Sequence, residues 1–425
     1  MKLTYFRRLL CAVGAILCAL WLAACDEVPT ANDTEKPVVS ITDPEPNSTA
    51  TDSLVVTVNA SDNVAVAFVE VYVSGRTAPM AVDSVAPYVL MVPLADISPG
   101  PRQFYATAYD AAGNSASTDP VSFTAARTPG LRFLGRVLVN GTAVDVTASG
   151  NVAVLAAGDG GVVAFDISNV YVPRFIGRYR TGNPILGVAL KLPVIYAGAG
   201  DGTILALSTS VADTLISAAR LVVSGIHASQ LSILNTTLSV AGGTGGLLQL
   251  NASQADTLIQ LGRYDQGGDV RDVELVGQYA YIAEAALGMR VLDVSKADSI
   301  DAVYHFLAST QASDVYIAGT NAYLADGNSG VYAFSIANLA SPVYLSNFNP
   351  VGRIVNGVKG QGRWLYTANG DVGVDVIDAN NPNAMVAAPG GTFNTIGYAH
   401  KVAAHNGYVL VADNEYFTIL KYVEP

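Results

Sequence analysis

Residues 270–296 read VRDVELVGQYAYIAEAALGMRVLDVSK, which is three short apolar segments separated by turn residues. The pattern occurs seven times, and the residues that end its third segment are 42 to 44 positions apart: Asp166, Ser208, Asn251, Asp293, Ser335, Asp378 and Tyr422. A small side chain precedes each of them by ten positions, at Ala156, Gly198, Ala241, Ala283, Ala325, Ala368 and Ala412. Glycine precedes five of them by five positions, at Gly161, Gly246, Gly288, Gly330 and Gly373. Such self-similarity at a fixed period indicates a repeat architecture.

Each unit contains three clear strands and a fourth before the next unit begins, as at Phe175–Tyr179. Four short strands in about 42 residues are typical of a propeller blade, which buries its faces only against neighbouring blades. The sequence therefore predicts an all-β protein with a seven-bladed β-propeller over residues 131–425. The last unit ends at Tyr422 without an outer strand, and a spare strand, Phe133–Val139, precedes the first unit. We expect this N-terminal strand to complete the last blade and so remove exposed sheet edges.

The repeated units resemble the LVIVD repeats of bacterial and archaeal surface propellers. The best match is MRVLDVS at 289–295, and Val374–Ala379 and Val162–Ser168 are close to it. Units two, three and seven depart from the pattern because they lack the aspartate that ends the strand. The resemblance implies surface exposure and binding, and no catalytic residue is carried over from it.

The first 24 residues have the layout of a secretory signal peptide. Lys2, Arg7 and Arg8 precede an apolar run from Leu9 to Ala24, which is shorter than the roughly 20 residues that cross a bilayer. Leu22-Ala23-Ala24-Cys25 then resembles the lipobox of bacterial lipoproteins, which implies lipidation at Cys25 and a membrane anchor. We therefore expect an exported lipoprotein of the bacterial cell envelope, at the outer membrane and cell surface or facing the periplasm, with a polar tether over residues 25–36.

Residues 37–126 are expected to form a small antiparallel sandwich. Apolar residues alternate with others at Leu54, Val56 and Val58 and again from Val69 to Val73, which is typical of half-buried strands. The segments PVVSITDPEPNST, VNASDNVAVAFVEVYVSG and YATAYDAAGNSAS resemble bacterial Ig-like domains of surface proteins, which implies a spacer or adhesion module. Its residues Asp62, Asn63, Asp110 and Asn114 either close turns through their side chains or bind calcium. No other cofactor and no further metal site is predicted.

The charge balance restricts the classes of partner. The chain has a net charge of −12 and only 14% charged residues, which disfavours nucleic acid and anionic lipid head groups. It mildly favours cationic partners or divalent ions, although acidity also serves solubility alone. Catalytic signatures such as HExxH, GxSxG and the P-loop are absent from the sequence,.

One set of polar residues is expected at a mouth of the propeller channel. The residues that end the third segments are called the anchor residues below. The first, inner strand of each unit begins 21 positions before them, at Asp145, Gly187, Gln230, Asp272, Asp314, Gly357 and Lys401. The residues next to these include Arg271, Asn356 and His400. The turns between second and third strands add acids that we expect on the same face: Asp159, Asp201, Glu284, Asp326, Asp371 and Glu415. These carboxylates are interpreted as turn-closing groups, as a ligand or calcium site, or as a catalytic carboxylate pair.

The predicted function is that of a non-enzymatic surface protein, an adhesin or scaffold, whose propeller binds a protein or glycan. One alternative is a carbohydrate-active or other hydrolytic propeller that uses Asp145, Asp272 and Asp314 in the channel. A second alternative is a scaffold in envelope assembly. The ligand-binding residues predicted for the channel mouth are Asp145, Gln230, Arg271, Asp272, Asp314, His400 and Lys401.

Overall fold

The computed structural model describes residues 33–211, 214–296, 299–307 and 311–425. The predicted signal peptide, the lipidation site Cys25 and the tether up to residue 32 lie outside the described residues. Among the residues described, no helix has the length and apolar character needed to cross a membrane. The chain divides into two compact units, which are described separately below.

The first unit contains the described residues up to Thr49, Leu54–Val92 and Pro101–Thr124. The nine strands between residues 38 and 126 are β1 (Val38–Asp43), β2 (Ser48–Thr51), β3 (Ser53–Ser61), β4 (Val66–Val73), β5 (Ala81–Asp83), β6 (Tyr88–Pro93), β7 (Gly100–Asp110), β8 (Ser115–Ser117) and β9 (Val121–Ala126). One sheet has the order β1-β3-β6, and the other has the order β2-β9-β7-β4-β5 with β8 on β7.

The alternation of apolar residues in these strands places one face in the core, as the sequence predicts. Leu54, Val56 and Val58 of β3 are buried, and so are every second residue of β4 and β7, namely Val69, Val71, Val73, Phe104, Ala106 and Ala108. The intervening residues of β4 and β7 face the other way and form cross-strand ring pairs, such as Tyr72 with Tyr105 at 5.1 Å between ring centroids,.

The second unit contains Ala50–Ser53, Pro93–Gly100 and Ala125–Pro425. After β10 (Gly130–Ala143) its strands follow in groups of four. Sheets 1 to 3 contain β11 (Asp145–Ser149), β12 (Val152–Ala156), β13 (Val162–Asp166), β14 (Arg174–Tyr179), β15 (Ile185–Lys191), β16 (Val194–Ala199), β17 (Thr203–Val211), β18 (Thr214–Val222), β19 (Gln230–Leu234), β20 (Thr237–Ala241), β21 (Leu247–Gln254) and β22 (Thr257–Tyr264).

Sheets 4 to 6 contain β23 (Val270–Val276), β24 (Tyr279–Glu284), β25 (Gly288–Lys296), β26 (Ser299–Phe306), β27 (Ala312–Ala318), β28 (Asn321–Asp326), β29 (Val331–Ser335), β30 (Val343–Phe348), β31 (Gly357–Gln361), β32 (Trp364–Ala368), β33 (Val374–Asp378) and β34 (Val386–Phe393). A 3-10 turn, Ala285–Leu287, connects β24 to β25 in sheet 4. Within each of sheets 1 to 6 the strands pair in chain order.

The last sheet joins the two ends of this unit. Sheet 7 has the order β10-β36-β35, with β35 (Ala399–His405) and β36 (Tyr408–Val423). The first half of β36 pairs with β35, and its second half pairs antiparallel with β10, so that Phe133 lies opposite Leu420. The spare strand predicted at Phe133–Val139 therefore lies within β10 and pairs with the last strand of the chain. The first strands of successive sheets contact one another, and β35 also contacts β11.

The core of this unit lies between neighbouring sheets, with one apolar cluster at each junction. The small residues ten positions before the anchors are buried there, and each alanine among them has 0% exposure. The position twenty before the anchors is also buried, at Val146, Val188, Leu231, Val273, Val315, Val358 and Val402. Small residues are required in the second strands because they allow two twisted sheets to approach closely.

The repeated glycine has a separate steric cause. Gly161, Gly246, Gly288, Gly330 and Gly373 have φ values of 79° to 85°, a conformation that residues with a Cβ adopt at a cost,. A Cβ at four of them would lie 1.9–2.3 Å from a carbonyl oxygen of the fourth strand or its end, namely that of Tyr179, Tyr264, Phe348 or Phe393. The glycine is therefore needed both for its φ and for the close approach of the outer strand.

Replacing Gly330 with alanine separates these two effects when Gly319 in the same sheet is the control. Both glycines have positive φ, but a Cβ at Gly319 meets nothing within 4 Å, whereas one at Gly330 would lie 2.3 Å from the oxygen of Phe348. We expect Gly319→Ala to lower the free energy of unfolding by about 1 kcal/mol, and Gly330→Ala to lower it by at least about 2 kcal/mol more. Denaturant unfolding measures both. Equal losses would contradict the steric role of the Phe348 carbonyl.

Candidate functional site

The seven residues predicted at the channel mouth lie at or near the starts of the first strands. Asp145, Gln230 and Gly357 are the first residues of β11, β19 and β31. Isolated bridges between Gly158 and Ile185 and between Gly370 and Ala399 place the turn after a second strand beside the start of the next sheet's first strand. We call this end of the sheets the loop face, since the turns between second and third strands and the connections between sheets both lie there.

Three aspartates of this set bind the backbone of the following sheet. The Val188 N–H donates to Asp145 over 2.9 Å. In the same way the Val315 N–H donates to Asp272 over 2.8 Å, and the Val358 N–H donates to Asp314 over 2.9 Å. All three carboxyls are buried, with exposures of 6% or less. Each one therefore satisfies a backbone donor of the neighbouring first strand and links two sheets.

Two lysines converge on Asp314. Lys359 Nζ donates to Asp314 Oδ1 over 3.0 Å and to the Val315 carbonyl over 2.9 Å. Lys401 Nζ lies 3.2 Å from Asp314 Oδ2 and donates to the Ser313 carbonyl over 3.0 Å. Lys359 Nζ is also 3.8 Å from a Glu274 oxygen and 3.9 Å from an Asp272 oxygen. The result is a buried cluster of acids and lysines in which Asp314 is the central anion.

Glycines at the starts of two first strands make room for contacts between sheets that are not adjacent. A Cβ at Gly357 in sheet 6 would lie 3.0 Å from Lys401 Cδ and 3.1 Å from an Asp314 oxygen. A Cβ at Gly187 in sheet 2 would lie 2.8 Å from the Cα of Gln230, whose side chain forms a hydrogen bond with Asp145. Because Gly357 has no side chain, Lys401 of sheet 7 contacts Asp314 of sheet 5. Because Gly187 has no side chain, Gln230 of sheet 3 lies close to Asp145 of sheet 1.

The charges of the cluster are distributed unevenly. Burial alone would raise the pKa of Asp314, but Lys359 and Lys401 outweigh it and hold this pKa well below its usual range. Burial and the Asp314 carboxylate raise the pKa of Asp272 well above its usual range. Burial also raises the pKa values of Asp145 and Glu274. The two carboxyls are therefore not equivalent, since Asp314 is the one favoured as the anion and Asp272 holds its proton more readily.

A cavity of about 210 Å³ lies beside the cluster. Its polar lining comes from the first strands: Asp145, Thr147, Gln230, Ser232, Asp272, Glu274, Asp314, Lys359 and Lys401. The rest of the lining is aliphatic, for example Leu190 and Ile233. This volume is smaller than the roughly 300–1,000 Å³ of pockets that enclose drug-sized ligands. The cavity has room for several water molecules.

Five of the seven predicted site residues come together at this cavity, and two do not. Asp145, Gln230, Asp272, Asp314 and Lys401 line it. The other two do not line it: Arg271 is exposed and pairs with Asp269 at 3.2 Å, and His400 lies 3.3 Å from Asn414 Oδ1 and contacts the Tyr398 ring. Both directly precede a channel residue, and successive side chains of a strand point to opposite faces.

The sequence prediction also missed Glu274 and Lys359. Each lies two positions after a channel residue on the same first strand, so it points to the same face as that residue,. The signal was available as a second column of the repeat, at Thr147, Ala189, Ser232, Glu274, Tyr316, Lys359 and Ala403. Only two of its members are charged, and a column of mixed chemistry does not stand out in one sequence.

The acids of the turns between second and third strands separate into two groups. Glu284 and Asp326 are buried. Glu284 forms an ion pair with Arg290 at 2.7 Å, and Asp326 accepts a hydrogen bond from the Gln311 N–H over 2.7 Å. Asp159, Asp201, Asp371 and Glu415 are exposed. The bridge at Gly370 places the turn that contains Asp371 on the loop face. Acids at this position therefore either fasten the turn or remain available at the surface.

In the first unit, three carboxylates could hold a metal ion. Oxygens of Asp33, Asp62 and Asp110 all lie within 4.8 Å of one another. Asp62 closes its turn by accepting the N–H groups of Val64 and Ala65, and Asp110 accepts that of Asn114 over 2.8 Å. The turn-closing interpretation is therefore confirmed, and calcium binding stays a prediction.

Comparison with known proteins agrees with both parts of this architecture. Residues 37–106 match the model of a bacterial Ig domain, and residues 140–181, 267–300, 309–349 and 396–420 match the LVIVD repeat. The second part is a β-propeller with LVIVD repeats. No curated protein matches this chain in sequence.

Solved structures support the propeller fold and nothing more specific. The WD40 β-propeller domain of Doa1 is similar with a TM-score of 0.55 and 11% identity, covering 69% of this chain and 97% of that one. The computationally designed Ika8 protein has a TM-score of 0.51 and 11% identity, covering 77% and 94%. BamB from Moraxella catarrhalis has a TM-score of 0.46 and 13% identity, covering 69% and 98%.

Amide variants of two neighbouring carboxyls test the charge distribution. Asp314→Asn leaves Lys359 and Lys401 without their main anion, so we expect a loss of about 3 kcal/mol in the free energy of unfolding at pH 7. Asp272→Asn mimics the protonated side chain, keeping an acceptor for the Val315 N–H and a donor for Asp314. We expect this second variant to be as stable as the wild type at pH 7 or more stable. Denaturant unfolding at several pH values measures both.

The two variants should also respond to pH with opposite signs. The lowered pKa of Asp314 contributes stability that is present above its unfolded pKa of about 3.9 and disappears as the pH falls through the folded pKa. The raised pKa of Asp272 contributes stability that disappears as the pH rises through the folded pKa. The deficit of Asp314→Asn should therefore shrink below about pH 4, and the advantage of Asp272→Asn should grow as the pH rises. Equal losses at pH 7 would contradict the assignment.

Proposed function

We propose that this protein is a lipid-anchored scaffold of the bacterial cell envelope, whose propeller binds another protein without catalysing a reaction. Its seven sheets are taken as seven blades of a ring that β10 closes at the last blade. The Ig-like domain serves as a spacer between the anchored N-terminus and the propeller. The lipobox-like sequence at Leu22–Cys25 supports the anchor,.

The observation that carries this proposal is the internal use of the channel carboxylates. Asp145, Asp272 and Asp314 each bind a backbone N–H of the next sheet, and Asp314 also binds two lysines. Groups held in this way join the sheets to one another, and the cavity of about 210 Å³ beside them is smaller than most pockets for drug-sized ligands,. Binding is therefore assigned to the outer surface of the loop face, where protein partners have room.

The same geometry disfavours the hydrolytic alternative. Glycosidases hold their two carboxyls about 5–9.5 Å apart so that the sugar or a water fits between them. Asp272 and Asp314 instead lie 3.9 and 3.0 Å from the same lysine nitrogen, Lys359 Nζ, and each accepts a backbone N–H of the next sheet. These contacts are those of groups that join sheets, so a structural role accounts for the pair better than general acid and base roles.

Replacing Cys25 with serine tests the anchor. Lipidation requires the thiol, so we expect Cys25→Ser to move the protein from the membrane fraction to the soluble fraction of fractionated cells. Cys18→Ser is the matched control, because it changes a thiol within the apolar run of the signal and should leave fractionation unchanged. Incorporation of labelled fatty acid should be lost in the first variant alone. Labelling of Cys25→Ser would contradict the assignment of the lipidation site.

Site-specific photo-cross-linking in intact cells tests the binding function. A photoreactive residue at Asn328, exposed in a turn on the loop face, should cross-link to one protein partner. The control is Asn235, exposed in the turn between β19 and β20 at the opposite end, where the same partner should be absent. A cross-link that contains only glycan at Asn328 would replace the protein partner by a carbohydrate. Turnover of a glycan or ester by the purified chain would overturn the non-enzymatic proposal.

A further inference from the structure

Two neighbouring connections on the loop face expose apolar side chains. The first connection, residues 349–356, joins β30 to β31 and exposes Val351 to 97% and Ile354 to 50%. The second, residues 394–398, joins β34 to β35 and exposes Ile396 to 60%. We call these three side chains the apolar arc. Exposed aliphatic groups gathered on one part of a surface are typical of an interaction site.

The connections before sheets 2 and 4 have a different composition. The connection before sheet 2, residues 180–184, reads RTGNP, and the connection before sheet 4, residues 265–269, reads DQGGD. Both are dominated by polar residues and glycine. The repeat therefore does not impose an exposed apolar residue on every connection. Besides the apolar arc, the described part of the connection before sheet 5 exposes Leu307 to 66%.

The two connections are held in place by contacts with each other and with the turns beside them. The Asn356 side chain donates to the Tyr398 hydroxyl over 3.0 Å and so joins them directly. Val355 forms a bridge with Gly327, and Ala399 forms one with Gly370. Backbone that is already ordered loses little conformational entropy when a partner binds, so these side chains are well placed to contribute affinity.

The charged groups around the apolar arc are acidic. Asp371 is exposed in the turn that lies between the two connections. Glu415 is exposed within β36, where its pairing passes from β35 to β10, and the neighbouring Asp413 lies beside Gly397 of the second connection. The nearby cations are engaged elsewhere: Arg353 pairs with Asp375 at 2.8 Å, and Lys401 pairs with Asp314 in the channel. The two exposed acids therefore give the rim of the arc a negative potential.

We propose that the apolar arc docks a polypeptide segment that combines aliphatic or aromatic side chains with flanking lysines or arginines. The apolar side chains pack on Val351, Ile354 and Ile396, and the cations face Asp371 and Glu415. Desolvated apolar anchors with a charged rim are the usual division of roles in protein interfaces. This inference rests on the proposed binding function and adds to it the location of the site and the chemistry of the partner.

Selection of peptides on the full-length chain in detergent micelles tests the partner chemistry. The probe is a phage-displayed library of random 12-residue peptides, and the selected sequences are synthesised for affinity measurements by fluorescence anisotropy. We expect enrichment of sequences with apolar residues next to lysine or arginine. Their affinity should fall as salt is raised from low to high concentration, because exposed charge pairs are screened. Enrichment of acidic sequences would overturn the proposed chemistry.

Paired variants locate the site. Val351→Asp combined with Ile396→Asp should weaken binding of the selected peptides by at least about tenfold, the size expected when interface anchors are removed. Val343→Asp combined with Val386→Asp is the control, since these side chains are 61% and 55% exposed on the outer strands of sheets 5 and 6. This control should retain the wild-type affinity. Asp371→Lys with Glu415→Lys should weaken binding of the cationic peptides several-fold through repulsion.

The outcomes separate this inference from the proposed function. Equal affinity of the peptides for the wild type and Val351→Asp/Ile396→Asp would place the site elsewhere and overturn the inference, while the binding function stands. A library from which the wild type selects no peptide would also overturn it, and cross-linking at Asn328 then decides the binding function independently. Circular dichroism and thermal unfolding of each variant exclude loss of fold as the cause.

Discussion

Close packing between neighbouring sheets is the constraint on which the rest of the propeller depends. Among the residues that the structure describes, each apolar cluster of this unit is shared by two successive sheets. The buried alanines of the second strands permit the close approach, and Gly330 and its equivalents admit the fourth strand against the turn. A residue at one of these positions therefore acts on two sheets at once, which explains why the columns persist although the units differ elsewhere.

This packing brings seven first strands together and determines the chemistry of the channel. Polar side chains at the starts of these strands are removed from water, so they need hydrogen-bond or ion-pair partners on neighbouring first strands. Asp314 meets Lys359 and Lys401, and burial together with the Asp314 carboxylate raises the pKa of Asp272. Glycine at 187 and 357 leaves the space through which these contacts pass. The channel side chains therefore hold neighbouring sheets together. In the proposed function, the partner binds to the loops and not to the channel.

The loops vary because they carry little of this packing. Connections such as 349–356 differ in length and composition from their counterparts, while the strands on either side keep the period. Exposed aliphatic residues at Val351 and Ile396 contribute nothing to the core that the repeat pattern requires. Variation of loops on a regular frame is the usual way in which a common fold acquires a particular partner.

The sequence alone determined the strands, the repeat, the small and glycine columns and the polar set at the first strands, because each leaves a short-range pattern of fixed spacing. Tertiary structure decided which of those polar residues meet. Arg271 and His400 do not line the cavity, and each lies at a β-bulge of its first strand, between 270 and 272 and between 399 and 401,. Glu274 and Lys359 joined the cluster, and Lys401 reached Asp314 across Gly357, through contacts between residues 45 to 87 positions apart. One sequence records spacing along the chain, whereas the distance across the ring is set only when the sheets pack.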